Sequence, residues 1–116
     1  MGSNVIFFGW DRAVPGREQL AGQHFQEFVQ YLGGQQAQGV IQSFEVVFLN
    51  AHGGDLGGFF LIRGESPKLD TLMASSEWEA HLTRAMVQMA GVGAIRGATG
   101  DLVMERMALW MASMPA

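Results

Sequence analysis

Residues 44–63 place apolar side chains on both faces of a predicted β-hairpin, and this feature narrows the folds open to the chain. Two runs of β-branched and aromatic residues, 44–49 and 59–62, are joined by a Gly-rich turn. Successive residues of a strand point to opposite faces, and both alternating sets are apolar in each run. Glu45 is the only charged residue among them. An antiparallel sheet normally keeps one face polar for water, so both faces of this hairpin need a cover.

Hydrophobic periodicity predicts the elements on either side of the hairpin. Residues 5–10 (VIFFGW) form a short apolar run that predicts a first strand. From Arg17 the pattern becomes helical, and this first helix either ends at Gly33-Gly34 or continues to Gly39. The apolar stripe of the first helix consists of Leu20, Phe25, Phe28 and Leu32.

Capping signals predict the helices after the hairpin. Ser66 is a candidate N-cap with Pro67 at the first helical position, and Ser76 with Glu79 resembles a capping box. Gly91 then ends the second main helix, and residues 92–99 predict a last strand that three glycines weaken. A terminal helix follows from Gly100-Asp101. Its apolar stripe is Val103, Met107, Trp110 and Met114.

The element order is therefore β-α-β-β-α-β followed by a C-terminal helix, within a single α+β domain over residues 1–116. Two interleaved halves of this plan form a ferredoxin-like fold: a four-stranded antiparallel sheet with both helices on one face. The other sheet face is then bare, although its residues are apolar. A second copy packed sheet against sheet would cover it and make the protein a homodimer. The alternative is that the terminal helix folds back over that face.

Composition excludes several classes of function. A net charge of −4 and a pI near 5.2 argue against nucleic-acid binding. Without cysteine there is no disulfide or thiolate metal site, and no other metal pattern or cofactor loop is present, so we expect no metal and no cofactor. No apolar run approaches the roughly 18 residues of a membrane span. These features predict a cytoplasmic protein without a membrane or nucleic-acid partner.

The element order, the doubly apolar sheet and the segment SSEWEAHL (residues 75–82) resemble the dimeric α+β-barrel superfamily. Within it, the chain is similar to small antibiotic-biosynthesis-monooxygenase-like proteins. The resemblance implies a homodimer with a pocket in each subunit between helices and sheet, where some members oxidise polycyclic or haem substrates without a bound metal. Haem-degrading members use an Asn on the first strand and a Trp and a His on the second helix. Here Asn4 precedes the strand, and Trp78 and His81 are too close together for that pattern.

Histidine titrates near neutral pH, so His24 and His81 are the candidate catalytic residues. His24 lies at the margin of the first helix's apolar stripe, and His81 flanks that of the second. In the predicted fold these helices run side by side, and the helical rise places both rings at similar depth. The two residues are then either a pair in a cleft, as general base or substrate anchor, or two separate boundary residues half in water.

Other candidates lie at the hairpin end of the sheet. Trp10 and Asp11 end the first strand beside the turn that contains His52, so the three residues form either a pocket mouth or ordinary core, cap and turn positions. Arg63 and Arg96 lie at strand positions. There a guanidinium either pairs with Glu45 or Glu65 or anchors an anionic substrate.

These residues predict a small homodimer that binds an apolar or aromatic small molecule, with cofactor-free monooxygenase-like chemistry as one form of that function. His24 and His81 would supply the polar contacts. The predicted pocket lining is Phe25, Phe28, Trp78 and Leu82. The alternative is a non-catalytic structural or stress-related dimer whose cleft is filled by its own side chains.

Overall fold

The structure, a computed structural model, describes residues 2–115. Its main sheet is antiparallel and has four strands: β1 (Val5–Trp10), β3 (Ser43–Phe48), β4 (Gly58–Arg63) and β6 (Gly93–Gly97). Their order across the sheet is β3-β4-β1-β6, which is the ferredoxin-like order. The helices are α1 (Glu18–Ala37), α2 (Ser66–Ala74), α3 (Ser76–Gln88) and α4 (Asp101–Ala112). The predicted fold class is confirmed.

One face of the sheet packs against α1, α2 and α3 and holds the core. Strand register aligns the inward side chains in rows: Ile6 lies opposite Ile62, and Phe8 opposite Phe60. Helical residues at the spacing of one turn meet these rows. The buried core consists of Ile6, Phe8, Trp10, Phe28, Leu32, Ile41, Phe60, Ile62, Leu69, Leu72, Trp78 and Ala85. Each fully buried large side chain contributes roughly 1.5–3 kcal/mol to folding.

The opposite face of the sheet, here called the outer face, is also apolar. It carries Val5, Phe7, Val47, Phe59, Leu61 and Ile95. Phe7 and Phe59 stack on it with ring centroids 4.9 Å apart, and Ile95 is 66% exposed. The two-faced apolar pattern of the sequence is therefore present. The terminal helix does not cover this face, because α4 has no buried residue.

A second, two-stranded sheet ties the end of β1 to the end of α3. Its strands are β2 (Arg12–Ala13) and β5 (Met89–Ala90). The Asp11 amide donates to the Ala90 carbonyl at 2.9 Å, and the Val14 amide donates to the Gln88 carbonyl at 2.9 Å. This pairing was not predicted. It ends α3 at Gln88, before the Gly91 that the sequence favoured as the helix terminus.

Two capping predictions were wrong. Ser66 is the first residue of α2 rather than its cap, and its hydroxyl accepts a hydrogen bond from Arg96. Ser75, not Ser76, caps α3, since its Oγ accepts from the Trp78 amide at 3.2 Å. Helix α1 follows the longer of its two predicted alternatives. It runs through Gly33-Gly34 and ends before Gly39, whose φ of 76° suits a residue without a side chain.

Candidate active site

An apolar cleft between α1 and the sheet is the candidate site. We call it the α1 cleft; its lining residues are Phe8, Trp10, Ala21, His24, Phe25, Phe28, Phe60, Ala85 and Met89. Helical spacing explains the α1 side, since Ala21, His24, Phe28 and Leu32 are its buried residues and fall on one stripe. The enclosed volume is about 20 Å³, which is room for one water molecule.

The α1 cleft continues into a wider depression, the outer bowl, at the end of the sheet where β1 stops. The outer bowl has a volume of about 370 Å³. It shares Trp10, Ala21, Phe25 and Met89 with the cleft and adds Ala13, Gly22, Gln26 and Phe48. Phe48 is 68% exposed because β3 is an edge strand, and its ring lies 5.5 Å from that of Phe25. The Phe25 side chain therefore stands between the narrow interior and the open bowl.

His24 lines the cleft and contacts His81 of α3, which is not itself a lining residue. His24 Nε2 lies 3.0 Å from His81 Nδ1, and the two rings are within 7° of parallel. Phe28 and Tyr31 flank the pair, with ring centroids 5.3 Å and 4.5 Å from that of His81. His24 is 5% exposed. The structure thus brings together the two histidines that the sequence singled out.

Burial keeps both imidazoles neutral. Desolvation by burial, followed by the positive charge of Arg84, lowers the pKa of His24 to about 4. The same two causes lower the pKa of His81. Arg84 itself forms an ion pair with Glu27 on α1, which places a charged pair beside the imidazoles and bridges the two helices.

A neutral pair of this geometry has both donor and acceptor capacity left for a ligand. One ring donates its N–H to the other, so each residue keeps one ring nitrogen outside the pair. Among residues 2–115, His24 Nδ1 and His81 Nε2 have no hydrogen-bond partner. One of these nitrogens is a donor and the other an acceptor. The arrangement suits a ligand hydroxyl or carbonyl in an otherwise apolar site.

The remaining predicted lining residues divide into two groups. Trp10, Phe25 and Phe28 line the α1 cleft. Trp78 does not, because it is buried in the core at 5.8 Å from both Phe8 and Phe28, and Leu82 packs against that core from α3. Their place on the apolar stripe of α3 reflects packing between helix and sheet.

Asp11 and His52 lie outside the cleft and the bowl. The backbone of Asp11 joins the small sheet, and the Gly16 amide at the following bend donates to Glu18 instead. His52 is exposed in the hairpin loop, where its Nε2 lies 2.7 Å from the Leu56 carbonyl oxygen. Trp10, Asp11 and His52 therefore do not form one pocket mouth: the backbone of Asp11 pairs with Ala90, and the His52 side chain bonds within the hairpin loop.

Both strand arginines have protein partners. Arg63 pairs with Glu45 at 2.9 Å across β3 and β4, on the exposed outer face. Arg96 pairs with Asp70 rather than with a predicted glutamate, and it also donates to the Ser3 carbonyl oxygen at 3.0 Å. These contacts hold α2 and the start of β1 against β6. Neither arginine faces the cleft.

The site also contains residues that sequence reasoning missed. Tyr31 lies two helical turns beyond His24 on α1, so its spacing offered a signal for its contact with His81. Met89 reaches the cleft through the β2–β5 pairing, and Phe48 reaches the bowl from the edge strand. No local sequence signal marks these two contacts.

The residues of the haem-degrading pattern do not assemble. Asn4 bonds Thr99 through both ends of its amide, and Trp78 is buried in the core. Across residues 2–115 there is no group of three or more His, Cys, Asp or Glu side chains placed to hold a metal ion. Over the same range, no helix has the length and apolar character to cross a membrane.

No protein-family model matches the chain, and no curated protein matches its sequence. Solved structures share its fold. A dimeric ferredoxin-like protein of unknown function from Bacteroides fragilis superposes with a TM-score of 0.56 at 11% identity, covering 82% of this chain and 95% of its own. An EthD family protein from Bacillus halodurans gives a TM-score of 0.59 at 14% identity, covering 84% of this chain and 99% of its own.

A dimeric ferredoxin-like protein of unknown function from Thermobifida fusca gives a TM-score of 0.56 at 10% identity, covering 85% of this chain and 93% of its own. The B. fragilis and T. fusca proteins are both described as dimers. At identities this low, the structural likeness shows the ferredoxin-like fold of this chain and nothing more.

Proposed function

We propose that this protein is a homodimer in which each subunit binds one small apolar or aromatic molecule in the α1 cleft. The neutral His24–His81 pair would hydrogen-bond a polar group of that ligand. The observation that carries this proposal is the position of the pair: His24 lines a cleft that otherwise has only aromatic and aliphatic lining residues, and His81 hydrogen-bonds His24 from outside that lining. The pKa of each imidazole is lowered, mainly by burial. Apolar clefts with a few convergent polar groups are the usual form of small-molecule sites.

Ligand entry requires Phe25 to move. The cleft interior holds about 20 Å³, whereas the outer bowl at about 370 Å³ reaches the size of a small-ligand site. Phe25 borders both spaces and is half-buried. In this proposal the ligand first rests in the bowl against Trp10 and Phe48. Its polar end then reaches His24 when the Phe25 ring turns aside.

Cofactor-free oxidation is the form of activity that the sequence resemblance supports. A neutral imidazole with a low pKa is a weak base, so it would act on an acidic phenol or enol hydroxyl. The substrate would supply the electrons and dioxygen the oxidant, so that a ring CH2 and O2 yield C=O and water. Oxygen consumption that requires both histidines would support this step.

A closed, non-catalytic dimer is the second candidate, and the small interior volume favours it. In that case the α1 cleft is a packing defect filled by one water molecule. The histidine pair would then serve to join α1 to α3.

A thermal-shift screen of phenols, quinones and other small aromatics separates the two functions. At a hundredfold excess over Kd, a bound ligand should add about 2.7 kcal/mol to stability. The wild type and the loop control His52→Ala should show the shift. It should be absent in His24→Ala, in His81→Ala and in Ala21→Leu, which fills the cleft. A shift that persists in all variants would show that the ligand binds outside the α1 cleft. A screen without any shift would favour the closed dimer.

The homodimer rests on the outer face. Phe7, Val47, Phe59 and Leu61 are half-buried and Ile95 is exposed, so this face is an apolar patch of the kind that marks an interface. The Arg63–Glu45 pair lies on the same face. A two-fold axis would bring the same patch of a second copy against it. Two fold neighbours are described as dimers, which supports the homodimer itself.

A further inference from the structure

Helix α4 is the largest unpartnered apolar element of the chain. None of its residues is buried. Leu102 is half-buried, but six other large apolar side chains of the helix are between 42% and 69% exposed: Val103, Met104, Met107, Leu109, Trp110 and Met111. Met114, just beyond the helix, is 52% exposed. A helix with apolar side chains around most of its circumference is normally buried on more than one side.

The spacing of these residues marks one side of α4 as a packing surface. Val103, Met107, Trp110 and Met114 follow each other at intervals of four, three and four residues. This is the spacing of a helix seam that packs against another element, and we call these four residues the α4 stripe. The charged residues Asp101 and Glu105 lie on the opposite side of the helix.

Hydrogen bonds tie the base of α4 to the segment before β1. The Asn4 amide group bonds Thr99 just before the helix, with the Thr99 amide donating to Asn4 Oδ1 at 2.8 Å. Arg106 donates to the Gly2 carbonyl oxygen at 3.1 Å. Beyond these contacts the helix projects from the sheet. The radius of gyration is accordingly 15.9 Å, whereas a compact fold of this length has about 13 Å.

We propose that α4 is an arm that packs through the α4 stripe on a second copy of this chain. This inference rests on the homodimer proposed above and assigns a function to its C-terminal helix. The four side chains of the α4 stripe offer on the order of 100 Å² each, or roughly 400 Å² together, which is half of the roughly 800 Å² per partner of a standard interface. The outer face would supply the rest of the area. The arm starts from β6, whose Ile95 belongs to the outer face. The α4 stripe and the outer face therefore extend one interface.

The charges of α4 argue for a protein partner rather than a lipid surface. Helices that lie on anionic membranes carry several Lys or Arg residues on their polar side. Within residues 101–112 Arg106 is the only basic residue, and it is engaged by Gly2, while Asp101 and Glu105 are acidic. The chain as a whole is also acidic, with a net charge of −4. A second copy of the chain offers an apolar surface against which the exposed side chains of α4 can pack.

Paired lysine substitutions on opposite sides of α4 test the arm in the full chain. The stripe variant is Met107→Lys with Trp110→Lys, and the matched control is Ala108→Lys with Ala112→Lys, two exposed positions near the acidic side. In sedimentation equilibrium the stripe variant should weaken self-association at least 100-fold, and the control less than threefold. Circular dichroism should show both variants folded. Dimerisation of the stripe variant with unchanged affinity would overturn the arm.

Tryptophan fluorescence gives an independent measurement on the wild type. Trp10 and Trp78 are buried, so a blue shift of the emission with rising protein concentration would report burial of Trp110. A dimer without this shift would contradict the arm. So would binding of the helix to anionic phosphatidylserine vesicles by a chain that stays monomeric.

The outcomes separate this inference from the proposed function. If the stripe variant remains dimeric while the outer-face variant Val47→Asp becomes monomeric, the dimer forms through the sheet and the proposal for α4 is wrong. If the wild type is monomeric at every concentration, both dimer proposals fail. The ligand-induced thermal shift of the α1 cleft is measured separately and depends on neither outcome.

Discussion

His24 Nε2 lies 3.0 Å from His81 Nδ1, although 57 residues separate the two positions in the chain. The contact joins α1 to α3 and is partly buried, with His24 buried and His81 half-buried. A buried imidazole resists protonation, since the charged form is the one that desolvation penalises. The pair therefore links the protonation state of the protein to the packing of its two main helices.

This linkage predicts that the protein loses stability as the pH falls from about 6.5 towards 4. The pKa of His24 is lowered to about 4 in the folded state, so the unfolded state binds more protons within that window. Above pH 6.5 His24 is neutral in both the folded and the unfolded state, so it causes no loss of folding stability there. At pH 5 the loss from His24 alone should be about 2 kcal/mol. Urea denaturation at pH 7.5 and pH 5.0 measures it.

The control for this prediction is a pair of histidine variants. His24→Gln should reduce the difference between the two pH values, whereas His52→Ala, in the exposed hairpin loop, should leave it as in the wild type. Carboxylates contribute equally in all three proteins. An unchanged pH dependence in His24→Gln would show that burial of this ring does not control its protonation.

Ser75 and Ser76 should differ in their effect on stability. Ser75 Oγ accepts from the Trp78 amide at the start of α3 and also donates to the Leu72 carbonyl at 2.7 Å. Ser75→Ala should cost about 1 kcal/mol, in the range of lost helix caps. Ser76→Ala should change stability by less than about 0.5 kcal/mol, because its side chain is exposed. Urea denaturation midpoints of the two variants measure these losses. A larger loss in Ser76→Ala than in Ser75→Ala would indicate that Ser76 is the cap.

Adjacent residues of β3 identify the sheet face of the dimer. Val47 lies on the outer face, and Phe48 lies on the helix side next to Trp10. Val47→Asp would bury a carboxylate in the proposed interface and should convert the dimer to monomer in sedimentation experiments. Phe48→Asp should leave the dimer intact. If only Phe48→Asp dissociates it, the interface uses the opposite side of the sheet.

Two glycine substitutions should act in opposite directions. A side chain at Gly57 would place its Cβ 1.9 Å from the Asp11 carbonyl oxygen, so Gly57→Ala forces the hairpin away from the end of β1. We expect a loss of at least about 2 kcal/mol. Gly33 has free space around it inside α1, and Gly33→Ala should stabilise the protein by up to about 1 kcal/mol. Thermal unfolding tests both, and a neutral Gly57→Ala would contradict the close approach.

Local signals in the sequence predicted most of the fold. The strand at Val5–Trp10 and the order of the elements followed from apolar periodicity, because strand and helix repeats are set by the backbone itself. The β2–β5 pairing did not follow. Each of its strands is two residues long, and the pairing exists only because α3 returns to the end of β1. Ser75 and Ser76 are equivalent by residue type, so the φ and ψ angles at the turn decided between them.

The candidate site could be predicted only in part. The axial rise of a helix placed His24 and His81 at similar depth, but their contact depends on how closely α1 and α3 pack. Trp78 and Phe28 share the same periodic signal, yet Phe28 borders the cleft and Trp78 lies in the core. For α4, periodicity identified the stripe. It could not show whether the stripe is covered within the chain or by another copy.

The position of β1 in the middle of the sheet has a consequence for synthesis on the ribosome. Strand β1 is made first, but its partners β4 and β6 begin at Gly58 and Gly93. At roughly 5–20 residues per second, translation leaves the sequence VIFFGW without either neighbour for several seconds. During that interval a nascent chain exposes an apolar strand without its partners, so faster synthesis of β4 or a chaperone that covers β1 would reduce contact between neighbouring chains.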